Sequence, residues 1–160
     1  MLHRNFKQFE KIVRKSPQKE KTELVEPYQE HPFDIHNVHP KLPKKVKKLF
    51  DDGHFADSTF NACKFLEKEI KRLANIRGKT GHALMMDVFQ ENNPKIQLND
   101  LANDSEKDEQ LGYRYIFAGT MSAIRNPRGH DEINDDPDTC IDHLTFISML
   151  IRKIESAGHE

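Results

Sequence analysis

Arg125 and His130 stand five residues apart around Asn-Pro-Arg-Gly, at the end of the apolar run LGYRYIFAGTMSAI, and the acidic stretch DEINDD follows directly. A guanidinium keeps its charge and presents a fork of donors, while an imidazole exchanges a proton near neutrality. Around a phosphodiester the two suit cleavage of RNA by its own 2′-hydroxyl: the cation stabilises the phosphorane-like oxygens and the ring moves protons. Asn126 is placed to orient the phosphate or the imidazole. The chemistry calls for no metal and no other cofactor.

Spacing alone is weak support, since roughly one Arg-x4–6-His pair arises by chance in a chain of this composition. The sequence holds three: Arg77 with His82, Arg125 with His130, and Arg152 with His159. The last runs into the C-terminus, where fraying loosens geometry. Arg77 to His82 crosses a turn with two glycines, which offers backbone amides to an anion but little support to side chains. Arg125 ends a long apolar run and is followed by Asn126-Pro127. On an unbroken helix residues five apart diverge by about 140° around the axis. Pro127 disfavours helical geometry at Asn126 and Gly129 permits a sharp turn, so a break there is expected to swing His130 back towards Arg125. The competing reading is structural: both cations complement a helix C-terminus, and Asn-Pro-Arg-Gly is only a turn.

The elements that must hold these residues read as helices. Phe55, Thr59, Cys63, Leu66, Ile70 and Leu73 recur at three- and four-residue steps and predict a helix over about 54–76. Shorter helices are expected over 43–51, ended by Gly53, and after Gly81 through Leu84, Met85 and Val88. Residues 91–107 read as a loop, and a further helix is expected over 108–125. The last starts at Asp136-Pro137 or Asp138, where an N-cap acid meets an N1 proline, and continues through Ile154. No strand pattern competes. The expectation is an all-α bundle of four or five helices over residues 41–160. Residues 1–40 are expected to form a basic, extended or poorly structured N-terminal arm, with a short helix at 4–14 and five prolines between Pro17 and Pro43.

The net charge of −1 hides a polarity: 12 lysines and arginines face 6 acids in residues 1–50, against 13 and 20 beyond. An anionic partner is drawn to the first third, although a lysine-rich stretch also serves simple solvation. Cys63 and Cys140 lie within apolar helical patterns and read as buried thiols of a reducing compartment. No apolar run approaches the roughly 18 residues of a membrane span, and a cytoplasmic location is expected. His31, Asp34, His36 and His39 are metal-ligand types, but their spacing matches no closed zinc pattern and a polar loop is the preferred reading. His82 and His143 read as structural histidines, and the methionines as core filler. GKT at 78–80 lacks the first glycine of a P-loop, because Leu73 occupies that position.

From about Leu42 to Glu155 the chain resembles the Ymh-type family of prokaryotic proteins, which is placed in the HEPN superfamily. The resemblance is carried by LFDDGHFADSTFNACKFLEKEIK, GHALMMDVFQ, LGYRYIFAGTMSAIRNPRGHDE and the closing helix, and most specifically by GTMSAIRNPRGH. It implies a helical bundle that forms a homodimer with two Arg-x4-His elements facing a shared cleft. It also implies a metal-independent endoribonuclease of the kind used as a toxin or phage-defence effector, with an antitoxin protein as a further partner. On this resemblance Arg125 stabilises the transition state, Asn126 is the polar residue that follows it, His130 is the acid or base, and Arg128 is a candidate RNA contact. The acidic DEINDD departs from what an RNA-binding surface favours, unless it points away or holds the imidazole protonated. The alternatives are a catalytically inactive helical module that binds RNA, nucleotide or protein, and a structural dimerisation domain with a basic tail.

Overall fold

The computed structural model describes residues 30–159. The basic arm and its expected helix at 4–14 lie outside the described residues. Helices account for the regular structure: α1 (Pro32–Ile35), α2 (Lys44–Asp51), α3 (Phe55–Ala74), α4 (Gly81–Val88), α5 (Asp104–Gly119), a π-helical segment (Thr120–Arg125), α6 (Asn126–His130) and α7 (Pro137–Ser156). The protein is an all-α bundle, and no strand occurs among the described residues.

The central helix is α3, which packs against α2, α4, α6, α7 and the π segment. Its apolar stripe, Ala62, Cys63, Leu66 and Ile70, is buried against Leu144, Ile147 and Leu150 of α7 and Met121 of the π segment. Each fully buried Leu or Ile contributes about 1.5–3 kcal/mol. Asn75 ends α3 in the left-handed region at φ 50° and ψ 43°, a conformation that Asn tolerates better than most residues.

The helix starts have local causes. Asp136 accepts from the Thr139 backbone N–H and hydroxyl, both at 2.8 Å, with Pro137 at N1. Asn103 accepts from Glu106 N at 3.0 Å, and the Glu106 carboxylate accepts from Ala102 N at 2.8 Å, a reciprocal cap that starts α5 four residues before the expected 108.

Two boundaries differ from the sequence reading. The contact-defined unit that carries the fold begins at His31, not near 40. Residues 31–42 are tied to α7, as His39 N donates to Ser148 Oγ at 2.9 Å and its Nε2 meets Glu155 Oε2 at 2.9 Å. Arg152 also donates to the Asn37 carbonyl. The second difference is the helix end. Asn126 is helical at φ −64° and ψ −46°, its N–H donates to the Met121 carbonyl five residues back, and the helix runs on through Pro127 to His130. Proline lacks an N–H and crowds the carbonyl four residues earlier. The i→i+5 bonding of the π segment accommodates it, so the chain does not break.

Residues 89–103 are anchored by Gln110, fully buried on α5. Its Nε2 donates to the carbonyls of Ile96 (3.1 Å) and Phe89 (3.4 Å), and its Oε1 accepts from Leu98 N at 2.9 Å. Replacing Gln110 by Leu strands these backbone groups and is expected to lower stability by ~1–3 kcal/mol in urea unfolding.

Candidate functional site

Arg125 is the last residue of the π segment, and its side chain lies along α3. Its Nη1 donates to Asn126 Oδ1 at 3.1 Å, and its guanidinium sits 5.6 Å from the Phe60 ring centre. Glu67 Oε2 is 4.0 Å from Arg125 Nε, too far for a hydrogen bond, and that buried Nε–H has no hydrogen-bond partner among the described residues. Glu67 is itself buried and ties α3 to the start of α4. One carboxylate oxygen takes Lys71 Nζ at 2.7 Å, and the other accepts from Gly81 N at 3.3 Å, at the start of α4.

Arg125 lines an open groove of about 480 Å³ over α3. Lys45 of α2 and Lys64, Lys68 and Lys71 of α3 border it with Arg125, and Glu67 is the only acid among the lining residues. Lys45, Lys64 and Lys68 make no ion pair among the described residues, and Lys64 rests 5.4 Å from the Phe60 ring centre. One ring thus supports both Lys64 and Arg125. These lysines and Glu67 were not singled out in the sequence. Their signal was present as the spacing 64, 68, 71 on the polar side of α3, but only packing shows that Arg125 joins them.

His130, by contrast, is exposed at the C-terminal end of α6, and no hydrogen bond joins it to Arg125. Because the helix is continuous across Asn126, the expected turn that would fold His130 back onto Arg125 does not occur. Five α-helical residues carry the two side chains about 140° apart around the axis.

Arg128 has a different task from the phosphate contact expected of it. It forms a bidentate pair with Asp135, both bonds at 2.7 Å, with the two side chains only 7% and 5% exposed. Its Nη1 donates to the Ile124 carbonyl at 2.9 Å and its Nη2 lies 3.3 Å from His143 Nδ1. Because Arg only donates, that nitrogen must accept and the ring must be neutral there. Burial, with the Arg128 charge beside it, pushes the His143 pKa below its usual range. The acidic stretch is therefore partly internal: Asp135 neutralises Arg128 and Asp136 caps α7.

Of the two other Arg/His pairs, Arg152 and His159 have different partners, Asn37 and the Gln97 carbonyl respectively. The turn carrying Arg77 and His82, however, packs beside the site: His82 Nδ1 is 3.2 Å from Ser122 Oγ in the π segment, and Gly81 N meets Glu67. His31 and His39 have separate carboxylate partners, Asp51 and Glu155. Among the described residues no group of three or more His, Cys, Asp or Glu is placed to hold a metal ion. No helix among them is long and apolar enough to cross a membrane.

This arrangement can hold oxyanions, and the span that builds it is recognisable in sequence. A model of the family described as "Protein of unknown function (Hypoth_ymh)" matches residues 36–154. The chain belongs to the Hypoth_ymh family. The family span contains Arg125, Asn126, Arg128, His130 and all of the groove lysines, and it leaves residues 1–35 outside. No curated protein and no solved structure matches the chain.

Two outcomes check this description. Replacing Asp135 by Ala leaves a buried guanidinium unpaired and is expected to cost about 3–5 kcal/mol in denaturant unfolding, whereas the joint replacement Arg128→Met/Asp135→Leu recovers most of it. Burial pushes the Cys63 thiol up to about 12, and Cys140 is raised for the same reason. Both are expected to resist a thiol reagent at pH 8 in the native protein and to react fully in urea.

Proposed function

We propose that the protein is a metal-independent endoribonuclease of HEPN type that cleaves single-stranded RNA as a homodimer. The observation that carries this reading is Arg125: a permanent cation lining an open, lysine-bordered groove. In the reaction the 2′-oxygen bonds to the adjacent phosphorus, its proton passes to a base, and the 5′-oxygen leaves with a proton from an acid. Arg125 stabilises the charge on the non-bridging oxygens, Asn126 holds the guanidinium, and His130 moves the proton.

One protomer does not pair Arg125 with His130, and on this reading a second copy completes the site. The surface offered for it is the outward face of α5 and the π segment. Gly112, Tyr115, Ile116, Gly119, Ser122 and Ala123 are all exposed there, Tyr115 by 57%, and none carries a charge. That face leads directly to Arg125 and Asn126. In this reading the enzyme is a cytoplasmic toxin or phage-defence effector restrained by an antitoxin protein.

A second reading is favoured by the unbroken helix and the missing Arg125–His130 contact: a catalytically inactive module that binds RNA. The two separate by experiment. The ribonuclease is expected to cut single-stranded RNA in EDTA, to leave the DNA of the same sequence intact because it lacks the attacking hydroxyl, and to lose about 100-fold or more in rate in Arg125→Ala and in His130→Ala with the fold retained. Wild type and both variants binding RNA equally without cutting it would establish the binding module instead.

A further inference from the structure

We infer that the groove over α3 is a track for successive phosphates of a single-stranded RNA, formed within one protomer and independent of His130. The identity of the strand as RNA rests on the ribonuclease reading; the affinity for a chain of phosphates does not.

Charge is the first argument. Five cations line the groove against one carboxylate. Outside the groove several described lysines are neutralised at helical spacing, as in Lys47 with Asp51 and Lys48 with Asp52, Lys44 being an exception. Lys45, Lys64 and Lys68 have no such partner among the described residues, so their field is left to the groove, whose concave walls concentrate it.

Shape is the second argument. Lys64, Lys68 and Lys71 follow an i, i+4, i+7 pattern on one face of α3, and at 1.5 Å per residue the outer two stand about 10 Å apart along the axis. A lone phosphate calls for donors gathered at one point, whereas cations strung along a helix suit a chain of phosphates. Lys71, already held by Glu67 at 2.7 Å, marks one end, and Arg125 stands at the side as a further cation lining the groove.

The test is anisotropy of a labelled 12-nucleotide RNA with the full chain over a salt series, comparing wild type, Lys64→Glu/Lys68→Glu and the control Lys107→Glu, a charge reversal at an exposed lysine of α5 outside the groove. Circular dichroism and melting confirm that each variant is folded. The double variant is expected to bind at least 10-fold more weakly, with the slope of log affinity against log salt reduced by about 1.4, from ~0.7 per lost single-strand phosphate contact. Lys107→Glu is expected to change affinity less than 2-fold. Equal binding by the double variant and wild type overturns the inference, as does an equal loss in Lys107→Glu, which would mean attraction by overall charge. Displacement of the RNA by equimolar ATP also overturns it in favour of a nucleotide site. Failure of the ribonuclease reading is seen separately: groove-dependent binding without cleavage leaves the track standing, and cleavage without groove dependence removes only the track.

Discussion

Pro127 has no amide hydrogen to give the carbonyl four residues back, and its ring presses on that carbonyl. A helix meeting this constraint either stops or widens. Here it widens into the π segment Thr120–Arg125 and then resumes an α-helical course to His130. The rotation of every later side chain follows from that choice. Arg125, at the end of the wide segment, lies along α3 beside Glu67 and Phe60, while Arg128, three residues on, reaches inward to Asp135. One imino acid thus divides two arginines of a single motif between a solvent groove and the interior.

The interior arginine explains the acidic stretch that follows. A buried ion pair adds little net stability against an apolar pair of the same shape, but it leaves a heavy penalty on any arrangement that separates its members. Pairing Arg128 with Asp135 therefore fixes the path of residues 131–136 and delivers Asp136 to the start of α7. Two acids that would oppose an anionic ligand are used in folding, Asp135 in the interior and Asp136 as an exposed cap, while Asp131 and Glu132 are also exposed.

Helix positions were legible wherever the apolar spacing was regular. α3 and α7 appear close to their expected limits because their buried stripes keep a helical period and Asp136-Pro137 announces a start. The start of α5 was equally open to reading, since Asn103 and Glu106 have the spacing of a reciprocal cap, but the surrounding acids and asparagines suggested a loop. The passage through Asn126-Pro127 was not legible: local preference argues for a break, whereas the wider bonding of the π segment carries the helix on to His130. For the site, Arg125 was visible as a residue and Asn126 as its neighbour. The groove was not, because Lys45, Lys64 and Glu67 meet Arg125 only after α2, α3 and the π segment have packed. Arg128 shows the limit most plainly, as an arginine in a motif carries no mark that tells a ligand contact from an internal tie.

Gly129 makes no use of its conformational freedom, yet the space it leaves is occupied: a Cβ there would stand 3.0 Å from the Phe60 ring. That ring is also the floor beneath Lys64 and Arg125. Two helices therefore touch through the absence of a methyl group, and the aromatic plate between them is shared by the tip that carries His130 and the bed that carries the cations. A methyl group at position 129 would therefore press on the same ring that supports the two cations.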